Sequence, residues 1–308
     1  MLEFKKLTID DIIDNIDYFC SCGFHMSDYS AAFKFMWQEY FTEYYAKVEN
    51  CLVFKEYFQG RVYFHYPISG CSEENEDKAL DAIEEYCREN NVRLHYTSVP
   101  KQRMYKMIER YGSDMRINNK RRWRDYLYNA QDFVTYAGKK FSGQRNHVNK
   151  FKKLYPDYQF CTLSAADSEE IKEFLKEFAR RQIAKGTTIA REELQSVYKL
   201  TDVLDSLKLK AGGIRLGGKL ISYSVGEVCG DQLIVHVEKA LTQYEGIYAT
   251  TAHEFARHYV MDGIKYINRE DDSGDAGLRK SKLQYNPAEL VDKFNVYPHR
   301  AIDSVMHN

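Results

Sequence analysis

Hydrophobic and polar residues alternate with a period of two in several short segments, and these segments predict strands. In the first 130 residues they cover 2–7, 44–48, 51–58, 61–66, 92–99 and 123–128. Glu49-Asn50 and Gln59-Gly60 separate three of them and predict tight hairpin turns. Helices are predicted from about residue 10, over 72–90 and over 101–111, because apolar residues recur there every three or four positions.

The second half predicts the same order of elements. Helical spacing covers residues 142–154, 167–184, 191–204, 246–261 and 277–284, and strands are predicted over 158–163, 207–215, 220–228, 232–238 and 265–268. Each half then contains three antiparallel strands, a helix, a further strand and a helix. A length of 308 residues fits two domains at about 150 residues each. We therefore predict an α/β protein with two mixed sheets and with domains over 1–135 and 136–308, joined near 129–142.

Composition narrows the class of protein. The chain is 44% hydrophobic and carries 44 basic and 45 acidic residues, which excludes bulk disorder. The net charge of −1 excludes a globally basic nucleic-acid-binding protein but leaves room for local basic patches. No apolar run reaches the roughly 20 residues of a membrane span, and Thr8, Asp10 and Asp11 interrupt the start where a signal peptide is apolar. We expect a cytoplasmic protein without stable membrane insertion.

The predicted hairpin over residues 220–238 suggests a cluster of polar side chains. A two-residue turn at Gly230-Asp231 fixes the pairing of the two strands, and alternation then places side chains on defined faces. The resulting pairs are Glu227 with Ile234, Val225 with His236, and Tyr223 with Glu238. The residues expected on one face are Tyr223, Glu227, His236 and Glu238. His236 or Glu238 is then a candidate general base, with Glu227 beside it; the alternative is a polar sheet face without a catalytic role.

Basic residues cluster in the predicted helix near residue 142. Such clusters in a neutral protein bind polyphosphate or RNA, or else form a solvated helix face. A second basic cluster lies at residues 116–124. The candidate substrate-binding residues of the first cluster are Lys139, Lys140, Arg145, Asn146 and Lys150.

The order of elements resembles that of the GNAT superfamily of acyl-coenzyme A-dependent N-acyltransferases. In that family the loop that enters the helix after the hairpin binds the coenzyme pyrophosphate, because a helix start offers unpaired N–H groups. The resemblance implies such a site at Gln243, Gly246, Ile247 and Tyr248, although Tyr248 replaces a small residue. The corresponding loop of the first half, residues 69–77, is acidic and would repel phosphate, so we expect the first domain to be a degenerate copy.

Five stretches carry a closer resemblance: residues 123–129, 138–151, 236–240, 266–274 and 277–282. They resemble a bacterial family related to the C-terminal domain of phosphatidylglycerol lysyltransferase. The resemblance implies two tandem acetyltransferase-like domains. It also implies relatives, including the Fem-type enzymes, that move an amino acid from aminoacyl-tRNA to an amine or hydroxyl.

The same resemblance implies roles for residues near the end of the chain. Lys282 is the candidate for stabilising the carbonyl oxygen of the transferred group, and Tyr285 is the candidate general acid. Independently of the resemblance, Asn268 and Arg269 lie at the end of a predicted strand, where sites are common, and they are candidate substrate-binding residues together with Arg279; the alternative for Arg269 is an internal ion pair with an acidic residue. His253 and His258 have a spacing of i, i+5, which does not place both rings on one helix face, so no metal site is predicted.

Three functions remain open on the sequence. The first is aminoacyl transfer from tRNA, and the second is acyl transfer from acyl-coenzyme A; both need a small-molecule or lipid-headgroup acceptor. The third is a non-enzymatic module that binds RNA or polyphosphate. Gln243 and Gly246 favour the coenzyme, whereas Tyr248 and the basic helix favour tRNA.

Overall fold

The alternating segments form strands and the helically spaced segments form helices over most of the predicted ranges. The computed structural model describes residues 2–70, 72–184 and 191–298. The strands are β1 (Lys5–Lys6), β2 (Tyr44–Val48), β3 (Cys51–Phe58), β4 (Arg61–His65), β5 (Tyr96–Pro100), β6 (Arg116–Asn118), β7 (Asp125–Asn129), β8 (Gln159–Leu163), β9 (Lys210–Leu216), β10 (Lys219–Cys229), β11 (Gln232–Ala240), β12 (Tyr266–Asn268), β13 (Glu289–Val291) and β14 (Lys293–Tyr297).

Several helices begin at a side-chain cap, and one begins at a glycine. Thr8 forms a capping box with Asp11, Ser72 accepts a hydrogen bond from the Asn75 backbone, and Gly246 occupies the N-cap of the ninth helix. The α-helices are α1 (Ile9–Asp14), α2 (Ala31–Trp37), α3 (Glu73–Glu89), α4 (Met104–Tyr111), α5 (Ala130–Thr135), α6 (Ser142–Leu154), α7 (Ser168–Ala184), α8 (Arg191–Thr201), α9 (Ile247–Tyr259) and α10 (Ala276–Leu283).

The strands form two seven-stranded mixed sheets, in the orders β1-β2-β3-β4-β5-β14-β6 and β13-β7-β12-β11-β10-β9-β8. In the first sheet β2, β3 and β4 are antiparallel and β5 lies parallel to β4. In the second sheet β9, β10 and β11 are antiparallel and β12 lies parallel to β11. The predicted α/β class with two mixed sheets is therefore confirmed.

The chain divides into two compact units that are not contiguous in sequence. The first unit contains residues up to Asp125, Asp271–Gly274 and the stretch from Val291; the second contains Tyr126–Glu270 and Asp275–Leu290. The boundary predicted between residues 135 and 136 falls inside the second unit. The segment predicted as a linker instead forms α5 and a short 3-10 helix (Lys139–Phe141), whose residues Phe133 and Phe141 are buried.

Each unit has its own core beside its sheet. In the first unit, buried Leu80 and Ile83 of α3 belong to a cluster with Phe64 and Tyr96. In the second, Phe255 of α9 belongs to a cluster that also contains buried aromatic and aliphatic residues of β7, β11 and β12. Among the described residues, no helix is both long and apolar enough to cross a membrane.

Candidate active site

A cavity of about 600 Å³ lies in the second unit, where the start of α6 and the start of α9 meet the end of α10. It is large enough for part of a small ligand. Its lining residues are Lys140, Gly143, Gln144, His147, Thr242, Tyr244, Glu245, Gly246, Ile247, Tyr248, Ala249, Ser281, Gln284 and Tyr285. The cavity thus brings together the predicted donor-binding loop, Lys140 and the predicted general acid.

Gly246 allows α9 to begin directly against α6. Its φ is +84°, and a Cβ atom there would lie 2.2 Å from the carbonyl oxygen of His147, so a side chain does not fit. Gly246, Ile247 and Tyr248 therefore line the cavity at a helix N-terminus, which is a favourable place for an anion or a polarised carbonyl. Gln243 is exposed and does not line the cavity.

Two tyrosines, Tyr248 and Tyr285, line the cavity. Burial raises the pKa of Tyr248 to about 12. Burial also raises the pKa of Tyr285, against the opposing effect of the Arg269 charge. The ring of Tyr285 stacks on Phe133 with 5.2 Å between centroids and 9° between planes. Both phenols therefore hold their protons at neutral pH.

A buried ion pair supports Tyr285. Arg269 donates to Glu238 at 2.7 Å, with the two side chains 11% and 12% exposed. The guanidinium carbon of Arg269 lies 4.7 Å from the centroid of the Tyr285 ring. Glu238, a predicted base, and Arg269, a predicted substrate-binding residue, are therefore ion-pair partners. Arg269 in turn makes a cation–π contact with Tyr285, the candidate general acid.

The predicted hairpin register holds only near the turn. Cys229 pairs with Gln232 and Glu227 with Ile234, as expected, but the register shifts between Val225 and Gly226. This β-bulge makes Val225 pair with Val237 instead of His236, and it changes which side chains share a face. Tyr223 accordingly pairs with Lys239, and Glu238 with Ser224. Glu238 lines a small void with Val235 and Arg269, so the prediction that Glu238 shares a face with His236 is wrong.

His236 instead forms a separate buried charge cluster. Its Nδ1 lies 2.8 Å from Glu270 and its Nε2 lies 3.4 Å from Glu227. Burial alone lowers the pKa of a histidine, but the neighbouring carboxylates of Glu227 and Glu270 outweigh it and raise the pKa of His236 to about 9. A histidine that is protonated at neutral pH does not accept a proton, so this geometry argues against the predicted base role of His236.

Lys282 fixes the end of β12. Its ammonium group donates to the carbonyl oxygens of Arg269 and, at 3.2 Å, of Glu270. Glu270 has a left-handed φ of 54°, and its N–H donates to the side chain of buried Asn268. The bend directs Arg269 to Glu238 and Glu270 to His236. Lys282 does not line the cavity, and its predicted role at the carbonyl oxygen stays a prediction.

Comparison with known proteins places the chain in a family. Residues 22–297 match the family model described as phosphatidylglycerol lysyltransferase, C-terminal. The chain belongs to this family. A curated relative, an uncharacterised protein of Mycoplasmoides gallisepticum, is 22% identical over 174 residues, which are 56% of this chain and 55% of that protein. The match therefore spans about half the length of the curated relative.

Solved structures show the same fold. A conserved protein of unknown function from Bacteroides thetaiotaomicron is 25% identical with a TM-score of 0.88, over 96% of this chain and 99% of that one. The C-terminal domain of a putative lysylphosphatidylglycerol synthetase from Agrobacterium fabrum is 12% identical with a TM-score of 0.69, over 94% and 93%. A FemX structure is 9% identical with a TM-score of 0.63, over 96% and 97%.

Most of the predicted basic site of this lysyltransferase-family chain is not assembled around the cavity. Lys140 lines the cavity and lies 3.0 Å from Asp132. Arg145 donates to the backbone carbonyls of Tyr136 and Gly138 and so closes the end of α5. Lys150 forms an ion pair of 2.6 Å with Glu245. The other predicted residues of this set lie outside the lining and are exposed or partly exposed: Lys139, Asn146 and Arg279.

Sequence reasoning missed the residues that shape the cavity from other elements. Gln144 of α6 donates to the carbonyl oxygen of Gln284 at 2.8 Å and joins two walls of the cavity. Tyr136 donates to the carbonyl oxygen of Ala249 at 3.2 Å. No spacing pattern marks these residues for their contacts, so only the fold reveals them.

The first unit contains a buried group of potential metal ligands. Ligand atoms of Glu43, Glu56 and His65 lie within 4.8 Å of one another. The ammonium group of Lys34 lies 2.8 Å from Glu43 and 2.9 Å from a ring nitrogen of His65. Lys34 therefore already supplies a positive charge to these carboxylates.

Proposed function

We propose that the protein is an acyltransferase that moves an aminoacyl group from the 3′ end of a tRNA to an amine or hydroxyl acceptor. The observation that carries this proposal is the cavity, which is lined both by the N-terminus of α9 and by Tyr285. Membership in the lysyltransferase family and the fold shared with FemX support an acyl-transfer reaction. Fold alone does not identify a substrate, so the choice of donor depends on the residues that line the cavity.

The reaction requires attack of the acceptor nitrogen or oxygen on the ester carbonyl carbon. The new bond forms there and the ester bond to the 3′ oxygen breaks as that oxygen gains a proton from a general acid. The acceptor releases one proton to solvent, and solvent returns one proton to the general acid, so the reaction balances. We assign the proton-donor role to Tyr285, because it lines the cavity and its phenol is protonated at neutral pH. The N–H groups at the start of α9 would polarise the carbonyl group.

The acceptor is assigned only by class. The reaction needs an amine or a hydroxyl group on a small molecule or a lipid headgroup. The cytoplasmic location of the protein stays a prediction. Lys140 and Glu245 both lie at the cavity and carry opposite charges. Their presence suits an acceptor or donor that is itself charged.

Acyl-coenzyme A is the second candidate donor. The position of Gly246 at the start of α9, in the cavity wall, favours it, because a pyrophosphate binds well at such a helix start. The exposed position of Gln243 outside the lining weakens it.

The test compares two donor probes with a variant that fills the cavity. The probes are acetyl-coenzyme A and an adenosine that carries an amino acid in amide linkage at its 3′ position. Gly143 lines the cavity and has open space around its Cβ position, so Gly143→Phe places a ring there. Ser142→Phe, at the neighbouring exposed position outside the lining, is the matched control.

We expect the aminoacyl-adenosine probe to raise the unfolding temperature of the wild type and of Ser142→Phe but not of Gly143→Phe. A ligand at 100 times its Kd stabilises by about 2.7 kcal/mol, which gives a clear shift. A shift with acetyl-coenzyme A alone would replace the tRNA donor by the coenzyme. No shift with either probe, or an equal shift in both variants, would contradict a donor site in this cavity.

A further inference from the structure

Three rings lie side by side on one face of the first unit's sheet. Tyr63 belongs to β4, His95 directly precedes β5, and Tyr297 ends β14. The ring centroids of Tyr63 and His95 are 5.6 Å apart, and those of His95 and Tyr297 are 5.0 Å apart. Arg116 of β6 pairs with Tyr297 in the sheet, and its guanidinium carbon lies 4.3 Å from the Tyr297 ring centroid. The row thus runs across four neighbouring strands.

Two more arginines extend the same face. Arg61 stands two residues before Tyr63 in β4, so both side chains point to one side. Arg93 stands two residues before His95, and its positive charge acts on the His95 ring. Arg61, Arg93 and Arg116 are all exposed. Within the described ranges, none of the three guanidinium groups forms an ion pair. The face therefore presents three positive charges that no described carboxylate neutralises by direct contact.

The buried histidine in the row reports this positive field. Burial lowers the pKa of His95, and the charges of Arg93, Arg61 and Arg116 lower it further, against a hydrogen bond to the Val62 backbone. Among the residues that the structure describes, buried Nδ1 of His95 has no hydrogen-bond partner. The electrostatics agree with the contact geometry: the positive charge at this face is available to a ligand.

We propose that Arg61, Arg93 and Arg116 bind the phosphate backbone of an RNA. Guanidinium groups form bidentate hydrogen bonds with phosphate oxygens. From β4 to β6 the face spans three strand spacings, or about 14 Å at about 4.8 Å each. That span exceeds a single phosphate and fits several successive phosphates of one strand. The choice of RNA as the ligand rests on the proposed function, in which a tRNA is the donor. It adds a second surface of the protein that binds this tRNA.

The experiment measures binding of a short labelled single-stranded RNA by fluorescence anisotropy at several salt concentrations. The variants are Arg61→Gln, Arg93→Gln and Arg116→Gln in the full chain. The control is Arg88→Gln, which removes the same charge from an exposed position on α3 of the same unit. Because the three arginines are exposed, the unfolding midpoints should match that of the wild type.

Each variant of the arginine face should bind RNA more weakly. A plot of log affinity against log salt concentration has a negative slope, and the magnitude of that slope should decrease by about 0.7 for each phosphate that the missing guanidinium group no longer neutralises. Arg88→Gln should keep the wild-type slope. Equal slopes in all four variants would overturn the proposal. Weaker binding to anionic lipid vesicles with unchanged RNA binding would also overturn it, in favour of a membrane-binding surface.

The aminoacyl-adenosine probe separates this proposal from the proposed function, since it carries no phosphate. If the arginine variants bind that probe as the wild type does but show no change with RNA, only the arginine site fails. If the probe does not bind but the arginine variants still show a weaker salt dependence of RNA binding, the donor site in the cavity is contradicted and the RNA-binding site is supported.

Discussion

The buried charge of His236 makes a prediction about pH. Its folded-state pKa of about 9 lies above the unfolded value of about 6.5. Protonated His236 therefore stabilises the folded state by about 3 kcal/mol at most. This contribution is fully present below pH 6.5 and is lost as the pH rises through 9. Urea unfolding of the wild type and of His236→Gln should show a wild-type advantage at pH 6 that shrinks by pH 10. An advantage that is constant with pH would contradict the charged cluster.

Gly246 makes a prediction about close packing. Gly246→Ala meets both a positive φ and a carbonyl oxygen 2.2 Å from the new Cβ atom, whereas Gly218→Ala has a φ of +78° with nothing within 4 Å. The φ alone costs about 1–2 kcal/mol, and the clash adds about 1–3 kcal/mol. Gly246→Ala should therefore lose more unfolding free energy in urea than Gly218→Ala. Equal losses would show that α6 and α9 do not meet as described.

At the scale of elements, Lys282 connects α10 to the end of β12. Lys282→Met removes hydrogen bonds from a charged donor to two backbone carbonyls and should cost about 1.5–3 kcal/mol. Lys280→Met, at an exposed position of the same helix, is the control and should change stability little. Chemical unfolding measures both. A Lys282→Met variant as stable as its control would leave Lys282 without this positioning role.

The ion pair between Glu238 and Arg269 connects β11 to β12. Arg269→Met leaves a buried carboxylate without its partner and should cost about 3–5 kcal/mol. Combining Arg269→Met with Glu238→Gln should recover part of that loss, because the uncompensated charge is gone. A double-mutant cycle by urea unfolding measures the coupling, and strictly additive losses would contradict a buried pair.

The sequence predicts these elements better than their registers. Alternation and turn residues correctly placed the hairpin turn at Gly230-Asp231 and the pairing of Glu227 with Ile234. They did not predict the bulge at His236, because a bulge depends on packing against neighbouring elements rather than on the alternation itself. One extra residue was enough to move Glu238 to the face opposite His236 and to give each its own ion-pair partner.

At the scale of the whole molecule, the element order indicated two similar sheets but not how the chain fills them. β7, predicted as the last strand of the first half, belongs to the second sheet, and β14 returns to the first sheet between β5 and β6. Such exchanges depend on contacts between residues far apart in sequence, which local patterns do not encode. The cavity has the same origin, since its walls come from α6, α9 and α10.

A crystal structure of the protein with the amide-linked aminoacyl-adenosine bound tests the proposed active site directly. We expect the ligand in the cavity of the second unit, with its amide carbonyl beside the start of α9 and Tyr285 Oη within about 3 Å of the 3′ linkage. A ligand bound elsewhere in the molecule, or bound with Tyr285 out of contact, would contradict the proposed active site.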